Sequence, residues 1–156
     1  MRVARGGGFV SIAKELILHL AMTSPAPNGK KVLIVEDNAM NMKLFVDVLS
    51  VNGFTAVSTT DGAQALSLAQ KERPDVILMD IQLAGIDGRD VTAAIKADPD
   101  LASIPVIAVT ACSMKGDEDR FRACGCADYI AKPFSITNLI EVVRRHAGLG
   151  SSETKE

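Results

Sequence analysis

Glu36 and Asp37 follow the run KVLIV, Asp80 follows VILM, Thr110 closes PVIAVT, and Lys132 stands before Pro133. Each polar group lies at the end of a short apolar run, as expected of side chains that buried strands deliver to one rim of a sheet. Gathered there they form a cleft of three carboxylates, one hydroxyl and one ammonium. Clustered acids are costly to desolvate unless a cation or hydrogen bonds compensate. A hard divalent cation meets that need, and magnesium takes few carboxylates while keeping places for water and phosphoryl oxygens.

Each residue also has an ordinary structural reading. A lone acid after a strand commonly caps a helix or sits in a solvated loop. The Glu36-Asp37 pair weakens that reading for the first run, because Asn38 is already available as the cap. Lys132 could be a plain ion-pair partner, Thr110 a residue that simply suits a strand, and Tyr129 an amphipathic edge residue. Their common address at strand ends is the argument, and no single residue carries it.

The elements that must position them are regularly punctuated. KVLIV reads as a buried strand, followed by a helix capped by Asn38, carrying Met42, Phe45, Val46 and Leu49, and stopped by Asn52-Gly53. The alternation continues with TAVSTT and a helix from about Gly62 to Glu72, then DVILM and a helix beginning near Gly88. PVIAVT and a helix across Lys115 to Ala123 follow, then a strand around Tyr129-Ile130 and a helix from Ser135 to about His146. Continuously apolar strands need cover on both faces, which helical crossovers supply, so the expected fold is an α/β doubly wound parallel sheet.

Composition agrees with one folded domain: 156 residues, 47% hydrophobic and 23% charged. With 17 basic against 19 acidic residues the formal charge is -2, which disfavours a dominant nucleic-acid role. No apolar run reaches the length needed to cross a bilayer. Cys112, Cys124 and Cys126 read as reduced thiols; the Cys124-Gly125-Cys126 spacing is tight for a disulfide, and His19 and His146 show no zinc-ligand spacing with them. The segment MRVARGGGFVSIAKELILHLA stands apart, with Phe9, Ile12, Ala13, Leu16 and Leu20 at helical spacing. Its favoured reading is upstream sequence ahead of a start at Met22, with a partner or membrane-surface helix and an extra core-packing helix as alternatives.

VLIVEDN, ILMDIQL, AVTA and AKPF, in that order and spacing, resemble the receiver domain of two-component response regulators. The runs KKVLIVEDNAMNMKLF, VILMDIQL and AVTACSMKGDEDRF are similar, within that family, to single-domain regulators of cell division. The resemblance implies a flavodoxin-like five-stranded sheet of order 2-1-3-4-5 over residues 30–147, between an extension and leader over 1–29 and a flexible tail over 148–156. It implies that Asp80 accepts a phosphoryl group and that Glu36, Asp37, Asp80 and the backbone carbonyl of Gln82 hold Mg2+, with Mn2+ as the alternative. Thr110 and Lys132 would contact the phosphoryl oxygens, the Lys132-Pro133 peptide would be cis, and Thr110 with Tyr129 would form the switch. Ala84 departs from the family, where proline is common at that position.

The implied role is a cytoplasmic phosphoacceptor that assists its own phosphorylation and dephosphorylation rather than an enzyme of turnover. Its partners would be a histidine kinase or phosphatase and a histidine phosphotransfer protein, some of them membrane-bound, and the chain itself a monomer or weak dimer. Two other classes compete. A phosphorylation-independent adaptor would be expected to lose an acid, the hydroxyl or the lysine, and all are present. A small aspartyl-phosphate phosphotransferase resembling the haloacid-dehalogenase group would carry an acid two residues past the nucleophile, where this chain has Gln82.

Overall fold

The computed structural model describes residues 28–111 and 116–149. The expectations for residues 1–27, for Cys112 and Lys115 and for the tail from Gly150 lie outside the described residues. Five strands, β1 (Lys31–Val35), β2 (Thr55–Thr59), β3 (Val76–Asp80), β6 (Val106–Thr110) and β7 (Asp128–Ala131), form one sheet in the order β2-β1-β3-β6-β7. Every pairing within it is parallel. This is the doubly wound flavodoxin-like order, with the reversal between β1 and β3 placing a crevice at their carboxyl ends.

Alternate strand residues divide the core. Val32, Ile34, Val76, Leu78, Ile107 and Val109 pack against helices α1 (Ala39–Val51) and α5 (Ile136–His146) through Phe45, Leu49, Leu139 and Val143. Leu33, Val35, Ile77, Met79, Val106 and Ala108 face helices α2 (Ala65–Glu72), α3 (Gly88–Ala97) and α4 (Asp117–Ala123). Both β3 and β6 are buried along their full length, which accounts for their unbroken apolar sequences. Burying each Val, Leu or Ile side chain contributes roughly 1.5–3 kcal/mol, and the core is built mainly from these three.

Helix starts follow local chemistry. The side chains of Asn38, Asp87 and Ser135 accept from the backbone N–H groups of Asn41, Arg89 and Asn138 at the N-termini of α1, α3 and α5. One helix differs from expectation. Gly62–Gln64 forms a 3-10 turn ahead of α2, capped by the Asp61 side chain. α4 covers Asp117–Ala123, with Gly116 at φ +93 as its N-cap residue.

Between β3 and α3 the chain forms a ribbon that the sequence reading did not foresee. β4 (Gln82–Leu83) and β5 (Ile86–Asp87) pair antiparallel around Ala84-Gly85. Gly62 packs beneath this ribbon: a Cβ there would lie 2.7 Å from Ile86 Cγ2 and 2.9 Å from Leu83 Cδ1. Periodicity misses strands this short, because two residues carry no pattern.

Candidate functional site

Asp80 is the last residue of β3, and Glu36-Asp37 directly follows β1. The backbone fixes both: Glu36 N–H donates to Thr59 O at 3.2 Å, and Ile81 N–H to Val109 O at 3.1 Å. Thr110 ends β6 and accepts at its backbone oxygen the N–H of Lys132 at 2.7 Å, so the lysine leaves β7 beside the threonine. The Lys132-Pro133 peptide is cis. Phe134 then stacks on Phe45 with ring centroids 5.1 Å apart, holding the segment after β7 against α1.

The five strand-end residues therefore share one rim. One carboxylate oxygen each from Glu36, Asp37 and Asp80 can be chosen so that all lie within 4.8 Å of one another. Lys132 Nζ stands 3.5 Å from Glu36 Oε1 and 3.6 Å from Asp80 Oδ2. Glu36 and Asp80 are 1% and 3% exposed, so these charges meet in a poorly hydrated place. Asp80 Oδ1 accepts the Gln82 N–H at 3.0 Å, Glu36 Oε2 the Asn38 N–H at 3.1 Å, and Asp37 Oδ2 the Ala84 N–H at 2.7 Å.

Burial pushes the Glu36 carboxyl above its usual range, and the neighbouring Asp80 charge adds to this. The Asn38 N–H and Lys132 oppose the shift without cancelling it. The pocket thus holds more negative charge than its own lysine neutralises. An all-oxygen donor set with surplus negative charge suits Mg2+ or Mn2+ rather than a soft thiophilic metal.

The chain matches the model of the response regulator receiver domain over residues 32–144. It belongs to the response regulator receiver family.

Within that family it is 51% identical over 119 residues to the polar-differentiation response regulator DivK of Brucella anthropi, covering 76% of this chain and 97% of that protein. Among solved structures it is similar to the receiver domain of a sensor histidine kinase from Pseudomonas aeruginosa PAO1, which has a magnesium ion coordinated in its active-site cleft. The TM-score is 0.71 at 36% identity, over 77% of this chain and 98% of that one. The Mn2+-bound form of response regulator Rcp1 is similar at a TM-score of 0.64 and 27% identity, over 81% of this chain and 97% of that one. Both the receiver resemblance and its narrower likeness to cell-division regulators agree with these relatives.

The receiver fold brings Glu36, Asp37, Asp80 and Lys132 together, with Thr110 buried at the adjacent strand end. Tyr129 lies farther down β7, partly buried, its ring tilted against Phe121 of α4 with centroids 5.7 Å apart. Sequence reasoning missed the backbone donors of Asn38 and Ala84, since any residue type but proline offers an N–H. It also missed Gly88, where a Cβ would lie 2.3 Å from the Asp80 carbonyl oxygen. The Asp87-Gly88 pair, a cap beside a residue without a side chain, was the available signal. Cys124 and Cys126 are free thiols with their Sγ atoms 3.8 Å apart, remote in role from this pocket.

Proposed function

We propose that this chain is a phosphorylation-driven switch in which Asp80 accepts a phosphoryl group from a phosphohistidine. The observation that carries the reading is the placement of Lys132 Nζ 3.6 Å from Asp80 Oδ2 and 3.5 Å from Glu36 Oε1 in a pocket of three acids. Glu36, Asp37, Asp80 and the Gln82 backbone carbonyl would hold Mg2+, with Mn2+ able to substitute. When bound, that ion supplies the positive charge that lets one anion approach another.

The reaction is an in-line displacement. An Asp80 carboxylate oxygen forms a bond to phosphorus as the phosphorus–nitrogen bond to the donor imidazole breaks, and the imidazole departs with a proton from solvent. Lys132 stabilises charge on an equatorial phosphoryl oxygen, and the Thr110 hydroxyl contacts another. Water attack on the aspartyl phosphate reverses the switch in the same pocket. Positioning and electrostatics do the work, so the chain is a phosphoacceptor that assists its own modification rather than an enzyme of turnover.

Receiver domains act with histidine kinases and phosphotransfer proteins. A donor helix carrying the phosphohistidine would meet the pocket rim, where Met40 is 82% exposed on the first turn of α1 and Leu44 lies one turn on. Among the described residues no helix is long and apolar enough to cross a membrane. Likeness to polar-differentiation regulators supports a place in cell-cycle or division control; a cytoplasmic location with recruitment to membrane-bound kinases belongs to the same proposal. The readout surface would be α4, the β7 strand with Tyr129, and α5.

The competing reading is an adaptor that binds partners regardless of phosphorylation. Beryllofluoride, a stand-in for a phosphoryl group, separates the two in a binding titration against a histidine kinase dimerisation domain. The switch reading expects affinity to change several-fold with beryllofluoride and Mg2+ in wild type and to stay constant in Asp80→Asn. Constant affinity in both would favour the adaptor.

A further inference from the structure

The Asp37 carboxylate does not stand alone at the rim. Its Oδ2 accepts the backbone N–H of Ala84 at 2.7 Å, a bond that joins the loop after β1 to the ribbon after β3. The turn explains why that N–H is available. Leu83 and Ile86 are paired across the ribbon, so Ala84 and Gly85 are the central residues of a two-residue hairpin. Gly85 has φ +78, and Arg73 is the one non-glycine with positive φ among the described residues, so Ala84 has φ below zero. That sign pattern is the one of a type II turn, where the N–H of the first central residue takes no part in closing the turn.

We propose that the Ala84 N–H is a positioning donor for the cation site, a role that rests on the reading of Asp37 as a metal ligand. A carboxylate offers about four lone-pair positions, so one N–H on Oδ2 leaves the group able to coordinate. The bond limits rotation of an otherwise accessible side chain and keeps it facing the buried acids Glu36 and Asp80. Partners of this kind to ligating groups raise metal affinity by fixing orientation. The sequence makes this possible at a position where proline would remove the donor altogether.

The same geometry supplies a clean test. Proline is favoured at the first central position of a type II turn, and Ala84 already has the negative φ that proline requires, so Ala84→Pro deletes the N–H at a position where the turn accepts proline. Mn2+ binding to the full chain, followed by electron paramagnetic resonance with Mg2+ competition, is expected to weaken by roughly tenfold or more in Ala84→Pro. Ala84→Ser, which retains the N–H, should bind as wild type. Amide hydrogen exchange at residue 84 should quicken in Asp37→Ala, which removes the acceptor, reporting the bond itself without any metal. Wild-type affinity in Ala84→Pro, or tighter binding, would overturn the inference. Should Asp37→Asn bind Mn2+ as well as wild type, the ligand reading itself would fail and the inference with it; loss in Asp37→Asn alone would sink only the positioning role.

Discussion

Glu36 shows how the site opposes the stability of the domain that holds it. Its carboxyl is raised from an ordinary 4.5, burial being the larger cause and the Asp80 charge the next. The folded state therefore binds this proton more tightly than the unfolded chain does. Its stabilising contribution is complete below pH 4.5 and is lost as pH rises through the higher folded value, so the ionised carboxylate at neutral pH is a cost. Glu36→Gln should accordingly raise the denaturation midpoint of the metal-free chain at pH 7, with the difference vanishing towards pH 4. Carboxyl NMR titration separates the two causes: Asp80→Asn should lower the Glu36 pKa yet leave it above 4.5, because burial remains. A Glu36 titration at its ordinary value in wild type would remove the argument. Residue identity at this scale was legible in the sequence, since each acid, the threonine and the lysine ends an apolar run. The backbone donors on Glu36 and Asp37 were not, because an N–H has no residue signature.

Strands and the joints after them do the positioning, and the tightest joint is Gly88. A Cβ at that position would lie 2.3 Å from the Asp80 carbonyl oxygen and 2.8 Å from Ile81 Cα, both backbone atoms with little freedom to yield. The Gly88 N–H also donates to Ile81 O at 3.0 Å, sewing the start of α3 to the residue after Asp80. Gly88→Ala is expected to cost about 1–3 kcal/mol in urea denaturation and to slow labelling of Asp80 by acetyl phosphate. Gly148→Ala is the comparison: φ +82 strains it, nothing lies within 4 Å of an added Cβ, and it follows the C-terminal end of α5, the opposite end from Ser135. It should label at the wild-type rate. Equal rates in both variants would mean that the joint does not hold Asp80. The five principal strands and five α-helices could be read from apolar runs and their spacing. The β4–β5 ribbon and the 3-10 turn ahead of α2 could not, because two- and three-residue elements fall below any periodic signal and depend on contacts with each other.

At the scale of the whole molecule, a parallel sheet in the order β2-β1-β3-β6-β7 converts residues far apart in sequence into one site. The topology was legible because buried parallel strands are unbroken apolar runs separated by helix-length spacers, and right-handed crossovers leave few ways to arrange them. The geometry inside the pocket was not legible, since it depends on where each side chain turns after its strand ends. The proposed role of these converging ends, with Asp80 as a phosphoacceptor that depends on a divalent cation, is tested by intact mass after incubation with acetyl phosphate and Mg2+, for wild type and Asp80→Ala, with a chelator control. Wild type alone is expected to gain one phosphoryl group, and to lose that gain when the cation is chelated. A gain of the same size in Asp80→Ala, or one indifferent to the chelator, would overturn that role.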